Sequence, residues 1–299
     1  MDLQKLRGFY WTAQLGSVSA AAQMIHVSQS AISHQLRSLE VELGTKLYQR
    51  SKRGIVLTPD GERLVGYARR VVHTVDDLES EFSEIQGRPH GTVRIAAFRG
   101  IATHSLPAIV NRFHQTNPHV QLDISSRAFD TGTLKQVTDG QADLGITASW
   151  NDFGELHYLE YESYDMFACT WVGHPWAERS RDLTLEDLAR EPLVLYEVGT
   201  AIRERLDHVF DSHDLRPEVP ISVGGSQALL EFVKIGLGVG IVSGLVAGPG
   251  RDPDLNAIPV SHLFGKLGYG FVLPHRRYLT ASARALLLSA GITSDRFPG

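Results

Sequence analysis

Gln29, Ser33 and Arg37 stand four apart, as do Ser30 and His34, and the two rows lie three apart at Ser30/Ser33 and His34/Arg37, which puts all five on one face of a helix. Their types suit the edges of DNA bases. Gln pairs with adenine, Arg with guanine, and Ser and His with several partners. Ser28 stands just before them, where a hydroxyl caps a helix and the free N–H groups of the first turn meet a phosphate. Further on, Arg50, Lys52 and Arg53 crowd a short segment and can reach a flanking minor groove or the sugar-phosphate backbone. Any one of these residues could be an ordinary solvated side chain. Their conjunction points to nucleic acid.

The surrounding elements must hold that face outward. Leu3, Leu6, Phe9, Tyr10 and Ala13 recur at helical spacing, and Gly16 ends that helix. Ser17 caps a second short helix with Ala20, Ala21, Met24 and Ile25 inward. After a tight His26-Val27 connection, Ser28 caps the third helix. Its core positions Ile32, Leu36, Leu39 and Leu43 step by four, three and four, and Gly44 stands at its C-terminal end. Two helices joined by a short turn make a helix-turn-helix. Leu47–Leu57 reads as two short strands around a basic turn, a wing. Charge agrees with this: residues 1–70 hold 10 Lys/Arg against 5 Asp/Glu, and the rest of the chain holds 19 against 29. A basic head on an acidic body suits a polyanionic partner.

Thr58-Pro59-Asp60 opens a long helix with a cap, a proline at the first position and an acid in the first turn. Leu64, Ala68, Val71, Val75, Leu78, Phe82 and Ile85 then step alternately by four and three. Such a heptad seam predicts pairing with another helix; packing on its own domain is the competing reading. Gly87, Pro89 and Gly91 end the helix and mark a hinge. Beyond Thr92, short apolar strands alternate with helices, which predicts mostly parallel sheets covered by helices. The strands expected are Val93–Phe98, Val120–Ile124, Ala142–Ile146, Leu193–Leu195, Val219–Val223, Val239–Val242 and Tyr269–Leu273. Helices are expected at Thr103–His114, Leu134–Val137, Ala201–Asp211, Gln227–Lys234 and Leu279–Ala290.

Other chemistries find little support. Gly236-Leu237-Gly238-Val239-Gly240 follows a helix and precedes a strand, the reverse of a dinucleotide fingerprint, so it reads as a tight turn. No histidine pair stands at metal-ligand spacing, and no nucleophile elbow, P-loop or catalytic carboxylate pair stands out. Neither a metal nor a cofactor is expected, nor an enzyme. No apolar run reaches the ~18 residues of a membrane helix, and the N-terminus lacks the layout of a secretory signal. Cys169 is the one cysteine and lies in an apolar segment. It reads as a buried structural residue, with redox sensing as the lesser alternative. These features suit a cytoplasmic protein.

The head resembles the N-terminal domain of LysR-type transcriptional regulators. The likeness is carried by Leu6–Phe9, Gly16-Ser17, Ala21-Ala22, Val27–Ser33, Leu39-Glu40, Leu43-Gly44, Leu47–Arg50 and Leu57–Gly61. The resemblance implies an α/β architecture in three parts: a winged helix-turn-helix at 1–58, a linker helix and hinge at 59–90, and a two-lobed domain like periplasmic binding proteins. Lobe I would take 91–161 and 269–299, and lobe II 162–268. It further implies double-stranded promoter DNA and a small-molecule effector as partners, with RNA polymerase as a third, and a homo-oligomer, a dimer through the linker helix and a tetramer overall. Effector entry between the lobes would change DNA bending. A solute-binding module or a small-molecule enzyme on the same fold are the alternatives.

Within the family the body is similar to the cysteine-regulon, CysB-like branch, at Leu193–Tyr196, Gly236–Ile241, Asp252–Ile258 and Ser261–Phe264. Relatives that bind sulfate-like anions carry hydroxyl and amide side chains after the first strand; here stand Phe98, Gly100 and Ile101. Ala148 and Ala201 likewise replace expected threonines. Ligands of open parallel sheets bind beyond the carboxyl ends of strands. The expected effector contacts are therefore Phe98, Arg99, Gly100, Ile101, Thr131, Ala148, Ser149, Thr200, Ala201 and Ser226. An organic acid, or a sulfur or amino-acid metabolite, is the expected ligand class.

Overall fold

The computed structural model describes residues 1–51, 54–85, 91–127, 130–178, 182–274 and 279–297. It divides into two compact units, residues 1–91 with 139–141, and residues 92–138 with 142–299.

In the first unit, α1 (Leu3–Leu15) is capped by Asp2, whose carboxylate accepts from the Lys5 N–H, and ends at left-handed Gly16. Helix α2 (Val18–Met24) follows the Ser17 cap, and α3 (Gln29–Leu43) follows the Ser28 cap and ends at left-handed Gly44. The turn between α2 and α3 is closed by His26, a non-glycine residue at φ 55°, a backbone region that histidine tolerates better than most. Leu6, Phe9, Tyr10, Ala22, Ile32, Leu36 and Leu39 form the buried core. Of the expected core residues, Met24 is 51% and Leu43 41% exposed, while Ala20 and Ile25 are half-buried. Met24 and Leu43 are the last residues of α2 and α3.

Strands β1 (Tyr48–Ser51) and β2 (Gly54–Leu57) pair antiparallel as the wing, and the Ile55 N–H donates to the Gly16 carbonyl at 2.9 Å. Helix α4 (Pro59–Ile85) is capped by Thr58, whose hydroxyl accepts from the Gly61 N–H at 3.1 Å. Gly61 is required by contact: a β-carbon there would sit 2.0 Å from the Leu47 carbonyl oxygen. The seam of α4 is divided. Ala68 and Val72 are fully buried in the head core, whereas Val71 is 42% and Leu78 53% exposed, with Tyr67 beside them at 63%. Packing on α1 therefore takes one face of the helix, shifted one residue from the heptad, and leaves Val71 and Leu78 of the seam exposed. The side chains of Phe82 and Ile85, and the hinge residues Gly87 and Pro89, lie outside the described residues.

The second unit holds two lobes. In lobe I, β3 (Thr92–Phe98) leads into α5 (Arg99–His104) and α6 (Leu106–Thr116). These are followed by β4 (Gln121–Arg127), α7 (Asp130–Thr138), β5 (Leu144–Ala148) and β6 (Leu156–Tyr164). In lobe II come β7 (Met166–Trp171), α8 (Leu185–Ala189), β8 (Leu193–Tyr196), α9 (Ala201–Asp211) and β9 (Ile221–Val223). Then α10 (Ser226–Lys234), β10 (Val239–Ser243), β11 (Leu255–Pro259) and α11 (Ser261–Phe264) complete it. The chain returns to lobe I through β12 (Leu267–Pro274) and α12 (Ala281–Ser289).

The sheet orders among the described residues are β4-β3-β5-β12-β6 and β11-β7-β10-β8-β9. The two sheets share a plan: β3 lies parallel to β4 and β5, while β12 runs antiparallel to β5 and β6. Likewise β8 lies parallel to β9 and β10, while β7 runs antiparallel to β10 and β11. The expectation of mostly parallel sheets is thus corrected to sheets half parallel and half antiparallel. Strands that cross between lobes must enter the second sheet reversed, and that reversal leaves no mark on hydrophobic periodicity. A second correction concerns the helix expected at Thr103–His114. It is two helices meeting at Ser105, because Pro107 cannot extend the preceding helix and starts a new one. The glycine run lies at the α10–β10 turn, as read: Gly236 is left-handed, and a β-carbon on Gly238 would meet the Pro192 carbonyl at 2.5 Å.

Candidate DNA-reading face and effector cavity

On α3, Ile32, Leu36 and Leu39 are fully buried. Gln29, Ser30, His34 and Arg37 are exposed on the other side, and Ser33 is half-buried between. The helix thus presents a polar face over an apolar keel. Ser28 is occupied twice, accepting from the Ala31 N–H at 3.1 Å and hydrogen-bonding the Ser30 hydroxyl at 2.9 Å. The Ser30 hydroxyl is thus already engaged with the cap of the helix it opens. Arg50 lies on β1 opposite Ile55. Its side chain, and Lys52 and Arg53 entirely, lie outside the described residues.

Glu40 was missed by the sequence reading. Its carboxylate is 6% exposed; it accepts from the Leu47 N–H at 3.0 Å and from Lys46 Nζ at 2.8 Å. It ties the start of the wing to the recognition helix. A lone acid on an otherwise apolar stripe, one residue after core Leu39, was the available signal: a carboxylate at such a position needs a donor.

In the second unit a cavity of about 320 Å³ opens between the lobes, lined by Phe98, Arg99, Gly100, Thr103 and His104 from α5 and its approach, and by Gly224–Ala228 at the start of α10. Four of the expected effector contacts are brought together here: Phe98, Arg99, Gly100 and Ser226. Others are placed elsewhere. Ile101 is fully buried in the lobe core and unavailable to a ligand. Ala148 is 4% exposed, and the Ser149 hydroxyl accepts from the Gly268 N–H at 3.1 Å, stitching β5 to β12. Thr200 caps α9, accepting from the Arg203 N–H and donating to the Glu197 carbonyl, with Ala201 buried behind it. The Thr131 side chain lies outside the described residues.

The missed residues are Thr103, His104, Gly224, Gly225, Gln227 and Ala228. Arg99 and Thr103 stand four apart on α5, a face visible only once the helix is known to begin at Arg99. Gly224-Gly225 before a helix start was the other signal, since glycines let a ligand approach backbone N–H groups. The N-cap of α10 is Gly225, and no side chain caps it.

Electrostatics around the cavity are mixed. Arg99 is exposed and makes no ion pair among the described residues. Burial, with repulsion from Arg251 second, lowers the pKa of His104 below its ordinary 6.5. Arg251 is held by the Gly244 and Leu245 carbonyls. Glu197 stands beside Gly224, its Oε1 2.9 Å from where a β-carbon would lie. Burial pushes the Tyr196 phenol well above its ordinary range. Cys169 is fully buried, and that burial pushes its thiol up to about 12. Such a thiol supplies almost no thiolate, so the redox-sensor alternative loses its chemistry. Among the described residues no group of three His, Cys, Asp or Glu could hold a metal ion. Likewise no helix of these residues is long and apolar enough to cross a membrane.

A winged helix-turn-helix joined to a two-lobed, clefted α/β unit defines a ligand-responsive DNA-binding regulator. The comparisons agree. Residues 86–290 match the LysR substrate binding domain, and residues 3–62 match the bacterial regulatory helix-turn-helix protein of the lysR family. The chain belongs to the LysR family of transcriptional regulators. The HTH-type transcriptional regulator CysB of Burkholderia cenocepacia is 32% identical over 282 residues, 94% of this chain and 90% of that protein. A full-length OxyR point variant from Pseudomonas aeruginosa matches with a TM-score of 0.73 at 22% identity, over 98% of this chain and 97% of that one. Full-length CbnR, solved with its target DNA, matches with a TM-score of 0.68 at 20% identity, over 97% and 99%. The likeness to the CysB-like branch read from the sequence is therefore shown, and the protein is a transcriptional regulator with an effector-binding domain.

Proposed function

We propose that α3 reads promoter DNA through Gln29, Ser33, His34 and Arg37, and that a small molecule in the cavity between α5 and α10 sets how the regulator sits on its promoter. The observation that carries this reading is the pairing of an exposed polar face on a rigid α3 with a ligand-sized cavity in the other unit. At about 320 Å³ the cavity stands at the lower end of the usual range for small-molecule sites, which begins near 300 Å³. Ser28 and the wing residues Arg50, Lys52 and Arg53 serve the phosphates. The free seam of α4, with Tyr67, Val71 and Leu78, pairs two copies, and the regulator works as a homo-oligomer in the cytoplasm, where RNA polymerase is the further partner. Effector binding changes the bend of the DNA.

Band-shift titrations at several salt concentrations test the head. Gln29→Ala costs roughly 1–3 kcal/mol at the best site and relaxes preference at one base pair. Arg53→Ala weakens binding to every sequence and lowers the salt slope by about one. Unchanged affinity in both variants would remove the assignment.

A further inference from the structure

The walls of the cavity narrow what it can hold. Phe98 supplies an aromatic face, and Gly100 lies against it: a β-carbon there would meet the Phe98 ring at 3.2 Å and Leu245 of lobe II at 3.8 Å. Thr103 gives the cavity little polarity, since its hydroxyl donates back to the Arg99 carbonyl at 3.0 Å. Ser226 opens α10, near the Tyr196 phenol. The Thr103 hydroxyl is thus occupied within the protein, which leaves the Ser226 hydroxyl and the Gln227 amide as neutral side-chain donors of the lining. The lining's permanent charge is one guanidinium, Arg99, which makes no ion pair among the described residues.

Charge and size narrow the ligand further. Arg99 lines the cavity, Arg251 acts on its His104 and the Glu197 carboxylate stands beside its Gly224, a balance of about one positive charge. That balance suits a monoanion and leaves a dianion undercompensated in a site partly withdrawn from water. The cavity, about 320 Å³, has room for roughly ten waters at ~30 Å³ each. A bare tetrahedral oxyanion would leave most of it wet and the Phe98 ring unused. A guanidinium pairs with a carboxylate through two parallel hydrogen bonds, a geometry that compensates for lost hydroxyls.

We propose that this cavity takes a small organic monocarboxylate with an apolar body, its carboxylate clamped by Arg99 against the uncapped start of α10 and its body laid on Phe98 and Ala228. This rests on the reading of the cavity as the effector site.

Isothermal titration of the full-length protein, in buffer free of sulfate and phosphate, tests it. The probes are sodium sulfate, a series of monocarboxylates from butyrate to benzoate, and benzamide as the uncharged match for benzoate. The variants are Arg99→Gln, Arg99→Lys and the cavity-filling Ala228→Trp, each checked for parental circular dichroism. The expected result is a carboxylate bound at least tenfold more tightly than sulfate or benzamide. Arg99→Gln should lose at least tenfold, and Arg99→Lys should keep only part of the affinity because the planar fork is gone.

Sulfate binding as tight as any carboxylate, carboxylate binding indifferent to Arg99→Gln, or no binding by any carboxylate would each overturn the ligand class. Ala228→Trp separates that failure from failure of the site. If it abolishes whatever binding is seen, the cavity stands and only the class falls. If it leaves binding intact, the cavity itself is not the effector site.

Discussion

Glu40 offers a sharp test of how the head is held together. Replacing it with alanine leaves the Leu47 N–H, in a residue 1% exposed, without its acceptor. A hydrogen bond to a charged acceptor contributes about 1.5–3 kcal/mol, and an orphaned buried donor costs about 1–3 kcal/mol. Glu40→Ala should therefore destabilise the head by about 2–3 kcal/mol. Glu40→Gln keeps a carbonyl oxygen for Leu47 and loses the charge. Lys46, the other partner, is 78% exposed, so water screens what that pair supplies. The amide should thus cost about 1 kcal/mol. For a unit of this size, 1 kcal/mol moves a melting temperature by about 4–8 °C. Scanning calorimetry of the full chain should show the head transition lowered by roughly 8 °C or more in Glu40→Ala, and by half of that or less in Glu40→Gln. Band shifts should follow the same order, because the wing begins at the residue that Glu40 holds. If the amide is as damaging as alanine, the charge matters and the acceptor does not. If neither variant departs from the parent, the Leu47 N–H has another partner, and the argument fails.

Leu78→Glu places a charge on the free seam of α4 at a position already 53% exposed, so folding should be unaffected while self-association is lost. Analytical ultracentrifugation reads this, and a variant sedimenting like the parent would mean that copies meet elsewhere. His104 makes carboxylate binding pH-dependent. Burial and Arg251 hold its pKa below 6.5, so near neutral pH the ring is uncharged; a bound anion raises that pKa, so binding takes up a proton. Affinity should rise as pH falls from about 7 toward the lowered pKa, with the carboxylate still ionised, and His104→Ala should flatten the slope; an equal slope in both proteins would rule His104 out.

The head was legible because its signals are local. Ser17, Ser28 and Thr58 cap the helices they precede, and Gly16 and Gly44 end helices in left-handed conformations. The α3 core steps of four and three fix which face turns outward. Where the reading slipped, at Met24 and Leu43, periodicity continued to the last residue of a helix, whose side chain is exposed. The α4 seam shows the limit of periodicity in another way. Ala68 belongs to both faces of the helix, so one pattern serves two contacts, and only packing on α1 reveals that Val72 and not Val71 is taken by the head. Glu40 was invisible to periodicity because its partner, the Leu47 N–H, is a backbone group.

The effector half was legible as a class of architecture and much less as a site. The strand-end rule and the cavity meet at Phe98, Arg99 and Gly100, since a ligand beyond a carboxyl strand end follows from sheet geometry. Thr200 and Ala201 follow from the same rule but do not line the cavity, because α9 caps itself with the Thr200 hydroxyl and turns that group inward. What takes their place is the start of α10, more than a hundred residues from α5 in the chain. Topology alone brings the two together. Backbone N–H groups at such a start accept any anion, so they do not decide which anion this regulator senses. That decision falls to the few side chains facing the cavity. On the reading proposed above, it falls chiefly to Arg99 and Phe98, one a planar fork and the other an apolar face. The fold is shared across the family, and the proposal puts the choice of ligand at those two positions.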